Sequence, residues 1–339
     1  MTSRTDISPW LAVPEAPSIP GLRFRMWRDE ADWAPMAEVM RATSLADGVP
    51  WVPTADQLRI DHDGYQGVDP ARDIVLAEVD GRFVAVAEVD RVVRDEEPIY
   101  EVSGHVDPAI RRHGIGAALH AWNVRRAHTR ASEAEPGRPV SIQAGAEDGE
   151  VGNTALLTTR GFEPVRRFYL MRRDLSAPIA AVPLPDGLEI RTVRPDDHRP
   201  IWEAENEAFR DHWGHRQPTE HGYDRTYRRK ELDTDLWVVA WDGDQIAGVI
   251  QNWIWPEENA TLGVARGWLE SVSVRRPWRR RGLGRALTAL SLERLRAVGM
   301  TEAMLGVDAT NPTGALGVYE SNGFEVYRRE VAYRRVDPA

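Results

Sequence analysis

Four sequence blocks occur twice in this 339-residue chain, and they keep the same order in both halves. The first pair is LRFRMWRDEADWAPMAEVM near residue 22 and LEIRTVRPDDHRPIWEAEN near 188, and the second is IVLAEVDGRFVAVAEVDR near 74 and LWVVAWDGDQIAGVIQNW near 236. The third is VDPAIRRHGIGAALHAW near 106 and VRRPWRRRGLGRALTAL near 274, and the fourth is TTRGFEPVRRF near 158 and ESNGFEVYRRE near 320. Because the order is kept and all offsets lie between 162 and 168 residues, the sequence predicts two copies of one domain.

The domain organisation follows from these repeats and from the prolines. A proline-rich stretch, SAPIAAVPLPDG at residues 176–187, separates the two halves and is typical of a linker. We therefore predict an N-terminal arm (1–21), a first domain (22–175), this linker and a second domain (188–339). Each domain is predicted to run through a strand, a helical region, a hairpin, a strand, a Gly-containing turn, a helix, a strand, a short helix and a strand. That order predicts an α/β fold with a mixed sheet.

The composition excludes several kinds of chemistry. The chain has no cysteine, which excludes disulfides, thiolate zinc sites, iron–sulfur clusters and a cysteine nucleophile. Its net charge of -10 at pH 7 argues against nucleic acid as a partner. No apolar run approaches the ~20 residues that span a bilayer, and the N-terminus lacks the apolar segment of a signal peptide. We therefore expect a cytoplasmic protein that binds neither nucleic acid nor a membrane.

A Gly-containing turn in the second half is the strongest functional signal. The strand before it alternates, which predicts that four side chains share one face: Trp268, Glu270, Val272 and Val274. Gly282 and Gly284 then open a helix, where the backbone can come close to a ligand and its N–H groups point outward. Six arginines between 275 and 285 add positive charge. The turn predicts a pyrophosphate site, although a solvated face or an RNA-binding patch would carry similar charge. It is neither a Walker P-loop nor a Rossmann fingerprint.

This turn resembles the acyl-CoA signature of the GNAT N-acetyltransferase superfamily. Arg279-x-x-Gly282-x-Gly284 follows the strand SVSV, where that superfamily has R/Q-x-x-G-x-G/A. Downstream, VDATNPTGALGVYESNGF at 307–324 is similar to the superfamily's last region. The residues in matching places there are Asn311, Tyr319, Gly323 and Phe324. The resemblance covers both predicted domains, in a tandem arrangement similar to that of mycothiol synthases. It implies two GNAT folds, each a mixed and mostly antiparallel sheet flanked by helices, with a splayed pair of parallel strands.

The resemblance also implies acetyl-CoA as the acetyl donor. Acetyl-CoA would lie in a V between Leu269–Val274 and Ala303–Val307, with its pantetheine arm along the first strand. Backbone N–H groups of residues 280–285 would hold the pyrophosphate, with Arg279 alongside, and Asn311 would contact the pantetheine arm. The cofactor-binding residues implied in this way are Val272, Ser273, Val274, Arg279, Arg280, Arg281, Gly282, Leu283, Gly284, Arg285 and Asn311.

Two residues are candidates for proton transfer. An acceptor amine is mostly ammonium at pH 7 and must lose a proton before attack, and a carboxylate such as that of Glu270 can take it. Some relatives of this kind carry the base two residues earlier, where this chain has Trp268, so another group stays open as the base. Tyr319 matches the superfamily's general acid, a phenol near the thioester sulfur. With no cysteine in the chain, direct attack in a ternary complex is the consistent mechanism.

The acceptor side is less well marked. The loop AFRDHWGHRQPT at 208–219 follows the first helix of the second copy, where GNAT acceptor loops lie. Its His212 and Trp213 are candidate acceptor-binding residues, and a purely structural loop is the alternative. His212, His215 and His221 lack the helical geometry of a zinc site, so we expect no metal. We expect a small-molecule amine as the acceptor, and a monomer or homodimer.

The first half resembles a degraded copy of the second. Its turn is complete and forms a candidate second cofactor site: Arg111, Arg112, Gly114, Ile115, Gly116 and Ala117. Counting back from Gly161 places Leu157 where the second half has Tyr319, and counting back from Val106 places Val102 where it has Glu270. We therefore predict a degenerate, non-catalytic first domain and a catalytic second domain.

Two other functions stay open at this point. A CoA-binding sensor or scaffold would need the turn but neither an acid nor a base. A protein N-acetyltransferase would need a long acidic groove for a peptide. The presence of both Tyr319 and Glu270 in the second half favours an enzyme, an acetyl-CoA-dependent N-acetyltransferase.

Overall fold

The computed structural model describes residues 10–310 and 314–339. Contacts divide the chain into a first unit, formed by the residues up to Pro164 together with Tyr333–Ala339, and a second unit, Val165–Ala332. Each unit contains a β-sheet with helices packed against it. Within the described part of the chain, no helix is long and apolar enough to cross a membrane.

The first unit starts with the N-terminal arm and then alternates strands and helices. Its elements in chain order are β1 (Leu22–Met26), α1 (Trp33–Asp47), α2 (Ala55–His62), α3 (Pro70–Asp73), β2 (Ile74–Val79), β3 (Arg82–Arg94), β4 (Glu97–Val106), α4 (Ile115–Ala134), β5 (Val140–Glu147) and α5 (Val151–Thr159). The next strand, β6 (Glu163–Asp174), begins in the first unit and lies mostly in the second.

The hairpin predicted from the Asp-Gly pair is present in the first unit. Its two-residue loop is Asp80-Gly81, with φ values of 50° and 81°. A primed turn needs positive φ at these positions, and glycine and aspartate tolerate it better than other residues. The β2–β3 hairpin continues into β4, and this part of the sheet is antiparallel throughout.

One strand pair of the first sheet is parallel. The pair is β4 and β5, which are in register only at Tyr100–Ile142 and Glu101–Gln143. Beyond these residues β4 runs on to Val106 without pairing to β5, so the two strands separate. The first unit therefore has the splayed parallel pair that the sequence predicts.

The second unit repeats this order of elements. After β6 come β7 (Glu189–Arg191), α6 (His198–Phe209), α7 (Glu220–Tyr227), β8 (Val238–Asp242), β9 (Gln245–Trp253), α8 (Pro256–Leu262), β10 (Arg266–Val274), α9 (Leu283–Ala297), β11 (Glu302–Asp308), α10 (Ala315–Ser321) and β12 (Glu325–Asp337). Its strand order is β12-β6-β11-β10-β9-β8-β7. The parallel pair is β10 with β11.

The final strand of each sequence repeat is shared between the two contact units. Residues Val165–Asp174 of β6 belong to the second unit, where they pair antiparallel with β11 from Phe168–Asp308 to Asp174–Glu302. The end of β12 belongs to the first unit, where Arg334 donates to Gln143 of β5 at 2.7 Å. The contact units therefore differ from the sequence ranges 22–175 and 188–339, because the last residues of each repeat belong to the other unit.

The second sheet has two covered faces. On the face that we call the α6 face, α6 packs on a core that includes Ile201, Val249 and Trp253. On the opposite face, the α9 face, α9 packs on a core that includes Leu269 and Leu287. The buried positions of α6 and α9 recur at helical spacing, so burial of these apolar stripes fixes both helices on the sheet.

Candidate active site

The Gly-containing turn of the second unit is open and uncapped. Gly282 is the N-cap of α9 with φ 84°, and Arg280 before it also has a positive φ of 58°. No side chain caps the helix, so the N–H groups of its first turn have no partner within the helix. A Cβ placed on Gly282 would meet no atom within 4 Å, and the side chains of Arg280 and Arg281 are exposed. This turn can accept an anion.

The Arg279 side chain connects the turn to the neighbouring elements α6 and β10. Its guanidinium lies 2.6 Å from the Asp211 carboxylate and donates to the backbone oxygens of Ala208 and Val274 at 2.9 Å each. The arginines Arg276 and Arg279 hold the pKa of Asp211 well below its usual range. Arg279 therefore ties the end of α6 to the end of β10 and fixes the position of the turn.

The parallel strands of the second unit separate next to this turn. Pairing of β10 with β11 runs from Arg266–Glu302 to Trp268–Met304 and then stops. Both strands continue, to Val274 and to Asp308. A V opens between them, with its apex just after Trp268 and Met304.

A β-bulge lies at the apex of this V. Leu269 pairs with Asn252 on β9, but Ser271 pairs with Gln251, so Glu270 is one extra residue in β10. The predicted alternation of Trp268, Glu270, Val272 and Val274 on one face is therefore wrong. Trp268 packs on the α6 face, whereas Val272 and Val274 pack on the α9 face, because the bulge reverses the alternation.

Glu270 points to the α6 face. Its Oε1 accepts a hydrogen bond of 3.0 Å from the Trp255 indole, which packs against the core of that face. The side chain is exposed to solvent, yet the protein around it desolvates the carboxyl and thereby raises its pKa. The Trp255 hydrogen bond and the charges of Arg229 and Arg225 oppose this rise. Glu270 is thus a carboxylate in the wall of a cleft at the point where the strands separate.

Tyr319 lies on α10 at the edge of the α9-face core. Its side chain is only 6% exposed, and its ring packs edge-on against Phe324 with centroids 6.1 Å apart. Burial raises the pKa of the phenol, so it stays protonated at neutral pH and can donate. Asn311, the predicted contact to the pantetheine arm, lies outside the described residues.

His212 and Trp213 lie at the open end of the V. The His212 ring packs on Phe209, and desolvation lowers its pKa, so the ring is neutral at pH 7. The guanidinium carbon of Arg166 lies over the Trp213 ring, 5.5 Å from its centroid. Arg166 also donates a hydrogen bond of 2.9 Å to the carboxylate of Asp308, at the end of β11. The structure therefore places both residues near the end of β11 and away from the apex.

One carboxylate beside the apex, Glu205, was not predicted from the sequence. It follows Ile201 and Ala204 on the stripe of α6 that faces the sheet, and a charged residue on such a stripe is the signal that could have found it. Gln251 on β9 donates to the Glu205 carboxylate at 2.8 Å. Desolvation raises the pKa of Glu205 to about 7, with Ser271 on β10 opposing the rise.

The turn of the first unit has nearly the same backbone. Gly114 is the N-cap of α4 with φ 91°, and Arg112 before it has φ 67°. Arg111 lies 2.6 Å from Asp47 and donates to the Val106 oxygen at 3.1 Å, as Arg279 does with Asp211 and Val274. The candidate second cofactor site therefore has the predicted backbone.

The surroundings of the first turn differ. A Cβ placed on Gly114 would lie 3.3 Å from Pro17 of the N-terminal arm. The arm is held in place because the Leu11 N–H donates to the Phe24 oxygen at 2.7 Å and Glu15 forms an ion pair with Arg160. Pro17 of the arm therefore lies against the turn of the first unit, although Gly114 itself is exposed.

The residues matching Tyr319 and Glu270 also differ. Leu157 accepts a hydrogen bond from the N–H of Phe162, as Tyr319 does from Phe324, so Leu157 holds the equivalent place. The match of Val102 to Glu270 is wrong. β4 pairs with β3 without a shift, so β4 has no bulge residue at this place, and Val102 is the equivalent of Leu269.

Comparisons with known proteins give the same family. A model of the acetyltransferase (GNAT) family matches residues 198–324. The chain is 30% identical to a mycothiol acetyltransferase of Geodermatophilus obscurus over 314 residues, which cover 91% of this chain and 95% of the relative. It is 31% identical to a mycothiol acetyltransferase of Salinispora arenicola over 312 residues, 91% of this chain and 94% of the relative.

Solved structures share the whole architecture. A GCN5-related N-acetyltransferase from Sphaerobacter thermophilus superposes with a TM-score of 0.71 at 28% identity, over 94% of this chain and 96% of that one. A tandem GNAT protein from the clavulanic acid biosynthesis pathway superposes with a TM-score of 0.63 at 20% identity, over 94% and 99% of the two chains. This chain therefore belongs to the GNAT acetyltransferase family and carries two tandem copies of its fold.

Proposed function

We propose that the second unit transfers an acetyl group from acetyl-CoA to the amine of a small molecule, by direct attack in a ternary complex. The observation that carries this proposal is the open, uncapped turn at Gly282 beside the separated strands β10 and β11. The turn would bind the phosphates of an acyl thioester such as acetyl-CoA, and the adjoining V would bind the rest of the molecule.

The residues present fit acetyl-CoA. The uncapped backbone of residues 280–285 would hold the pyrophosphate, and the open space over Gly282 leaves room for it. Residues 272–274 of β10 lie beyond the last parallel pair, where their edge is not paired to β11 and would bind the pantetheine arm. Arg279 is committed to Asp211 and two backbone oxygens, so its role in this proposal is to hold the turn. When bound, acetyl-CoA supplies the acetyl group as an activated thioester.

The chain's own residues supply the proton transfers. The Tyr319 phenol, kept protonated by burial, would donate its proton to the leaving sulfur. A carboxylate on the α6 face would take a proton from the acceptor ammonium, and Glu270 is the candidate predicted from the sequence. No protein nucleophile is needed, since the free amine can attack the acetyl carbon directly.

The acceptor is proposed to be a small molecule that carries a primary amine. The relatives that match over most of the chain are named mycothiol acetyltransferases, which supports an acceptor of this size. The α6 face of the apex carries carboxylates and aromatic side chains, including Glu270, Trp255 and Trp268, which suit an ammonium. His212 and Trp213 would contact a more distant part of the acceptor or the cofactor arm.

The proposal is tested by placing the same side chain on both turns. Valine at either glycine adopts an unfavourable positive φ, which costs a similar ~1–2 kcal/mol in both units. Gly282→Val should also block the phosphate and weaken acetyl-CoA binding about 10- to 100-fold in calorimetry, as the loss of hydrogen bonds to a charged group does. Gly114→Val, the matched control, should leave this affinity unchanged. Unchanged affinity in Gly282→Val would overturn the assignment.

Transfer itself is tested separately from binding. Mass spectrometry of a panel of amines, including glucosamine, cysteine and putrescine, with acetyl-CoA should detect an acetylated product. Binding of acetyl-CoA without acetylation of any small amine would reject the enzyme proposal and favour a CoA sensor. Acetylation of a peptide N-terminus alone would favour a protein N-acetyltransferase.

A further inference from the structure

A second carboxylate lies on the α6 face close to the apex of the V. Glu205 of α6 is hydrogen-bonded to Gln251, and Gln251 is the strand partner of Ser271. Ser271 directly follows the bulge residue Glu270. Glu205 therefore lies next to Ser271, the residue at which β10 resumes its pairing with β9. It lies on the α6 face of the sheet, as do Glu270 and Trp268.

Among the described residues, no cation acts on the Glu205 carboxyl. Its neighbours from the packed elements are the Gln251 amide of β9, the Ser271 hydroxyl of β10 and the Tyr227 phenol of α7, whose pKa the Glu205 charge helps to raise. Within residues 10–310 and 314–339, no arginine, lysine or histidine forms an ion pair with Glu205. Glu270 differs, because Arg225 and Arg229 both act on its carboxyl. Of the two, Glu205 is the carboxylate that polar groups contact but no cation of the described residues compensates.

The Ser271 hydroxyl marks the same place. It lies near enough to Glu205 to oppose the rise of that carboxyl's pKa, yet its Oγ is buried and has no partner in hydrogen-bond geometry. A buried hydroxyl without a partner is uncommon and often belongs to a site that a ligand or water completes. Glu205 and Ser271 therefore lie together beside the apex, as an acceptor-only carboxylate and a buried hydroxyl that interacts with it without full hydrogen-bond geometry.

We propose that Glu205 is the general base of the acetyl transfer and takes the proton from the acceptor's ammonium group. This inference rests on the proposed function and names its base. One proton moves from R–NH3⁺ to the carboxylate, which leaves a neutral amine with a free electron pair and a neutral Glu205 acid. As the amide forms, the nitrogen loses its second proton, which balances the proton that Tyr319 gives to the sulfur and restores the phenol. Glu205 then returns the first proton to water. Glu270 then keeps a binding role in the same site, with its carboxylate oriented by Trp255.

The protonation behaviour of Glu205 agrees with this role. Its pKa of about 7 makes the carboxylate more basic than an ordinary glutamate while part of it stays ionised at neutral pH. A base whose pKa lies near the operating pH combines a useful ionised fraction with a strong affinity for the proton. The cause is desolvation without a compensating cation, so the neutral acid formed after proton transfer is the better-tolerated form in this environment.

The test is a pH–rate profile of acetyl transfer from pH 5 to 9, with the best acceptor of the amine panel. The wild-type kcat/KM should rise with an inflection near pH 7. Glu205→Gln should lower kcat about 10²- to 10⁴-fold and remove that inflection. Glu203→Gln, an exposed glutamate on the same helix, is the matched control and should behave as wild type. Glu270→Gln should keep the inflection.

A second variant and a direct titration keep the test independent of the folding of Glu205→Gln. Ser271→Ala removes a group that lowers the pKa of Glu205, so its inflection should move to higher pH. Carbon-13 NMR of glutamate-labelled protein should show one carboxyl that titrates near pH 7 in the wild type and at higher pH in Ser271→Ala.

The outcomes separate the inference from the proposed function. A wild-type inflection that survives in Glu205→Gln, or a Glu205 carboxyl that titrates near the ordinary ~4.3, would overturn the inference and leave the acetyltransferase proposal intact. Absence of transfer to every amine by the wild-type protein would overturn both.

Discussion

The two Gly-containing turns have the same backbone and different surroundings. Gly114 and Gly282 are both uncapped helix N-caps at positive φ, and each follows an arginine that is also at positive φ. Yet Gly282 faces open space, whereas Pro17 lies 3.3 Å from the position of a Cβ on Gly114. The arginine-glycine signature therefore reports how the turn folds. The two turns differ in that a segment almost 100 residues away lies against only the first.

The strands next to the turns differ in the same way. β10 has six steps from its last parallel pair at Trp268 to its end at Val274, and β4 has five from Glu101 to Val106. The extra residue is Glu270, the bulge that turns a carboxylate toward the α6 face. One inserted residue thus distinguishes the strand that carries the carboxylate of the candidate site from the corresponding strand of the first unit.

The largest effect is expected for Tyr319→Phe. The substitution keeps the ring in its core position and removes only the proton that we assign to the leaving sulfur. Loss of a positioned general acid typically lowers turnover ~10²- to 10⁴-fold. Steady-state kinetics should show this fall in kcat, while calorimetry shows an unchanged affinity for acetyl-CoA. The first unit, with Leu157 at this place, provides no replacement acid.

Tyr333→Phe is the control for this change, because Tyr333 is a buried tyrosine of the first unit. It should leave both kcat and affinity as in wild type. Normal turnover by Tyr319→Phe would show that the thiolate leaves without a phenol donor.

A smaller effect is expected when the arginine beneath each turn is removed. Arg279→Ala leaves Asp211 and the oxygens of Ala208 and Val274 without this donor, so the turn loses its support. Hydrogen bonds to charged groups typically contribute ~1.5–3 kcal/mol, and we expect acetyl-CoA affinity to fall roughly tenfold in calorimetry. Arg111→Ala removes the equivalent contacts in the first unit and should not change that affinity. Equal losses in the two variants would mean that both turns bind the cofactor.

Removal of the N-terminal arm is expected to open a second acetyl-CoA site in the first unit. If Pro17 is what closes the first turn, removal of residues 1–18 should expose uncapped N–H groups at Gly114. Calorimetry should then change from one acetyl-CoA per chain to two, with the new site the weaker. Gly114→Val in the truncated chain should abolish the second equivalent. A stoichiometry that stays at one would place the difference between the units in their strands and not in the arm.

Much of this architecture could be predicted from the sequence, because the relevant signals are local. The repeated blocks, the Asp-Gly hairpin and the Gly-containing turns each depend on a few adjacent residues, and the structure contains them. The bulge at Glu270 could not be predicted from alternation, since one extra residue leaves the pattern on each side of it intact.

Other features depend on contacts between distant segments. The arm was predicted from its prolines, but its place over Gly114 depends on contacts such as the Glu15–Arg160 pair. The assignment of Val165–Asp174 to the second unit was not predicted, because both repeats end in similar strands and either fits the same sheet position. The position of Glu205 on the apolar stripe of α6 signals only that it is buried, and its place beside the apex follows from the packing of α6 on β9.

The smallest expected effect is a difference in acid stability between the units. Burial lowers the pKa of His120 on α4 and of His105 on β4 to about 4, and both stay neutral in the folded protein at pH 7. The positions 168 residues later hold Thr288 and Ser273, which do not titrate in this range. The folded pKa lies below the ~6.5 of an unfolded histidine, so the unfolded chain binds more protons as the pH falls from about 6.5 toward 4. The first unit should therefore lose stability over this interval.

Hydrogen exchange, corrected for the intrinsic exchange rate, can measure this difference. Between pH 7 and pH 5 the opening free energy of the α4 amides should fall by about 1–2 kcal/mol for each buried histidine, whereas that of the α9 amides should change much less. His120→Thr gives α4 the residue of the second unit and should remove the part of the pH dependence that His120 causes. The same fall in α4 and α9 would show that the histidines are not its source, and the difference between the units would then be confined to the arm, the bulge and the Leu157 position.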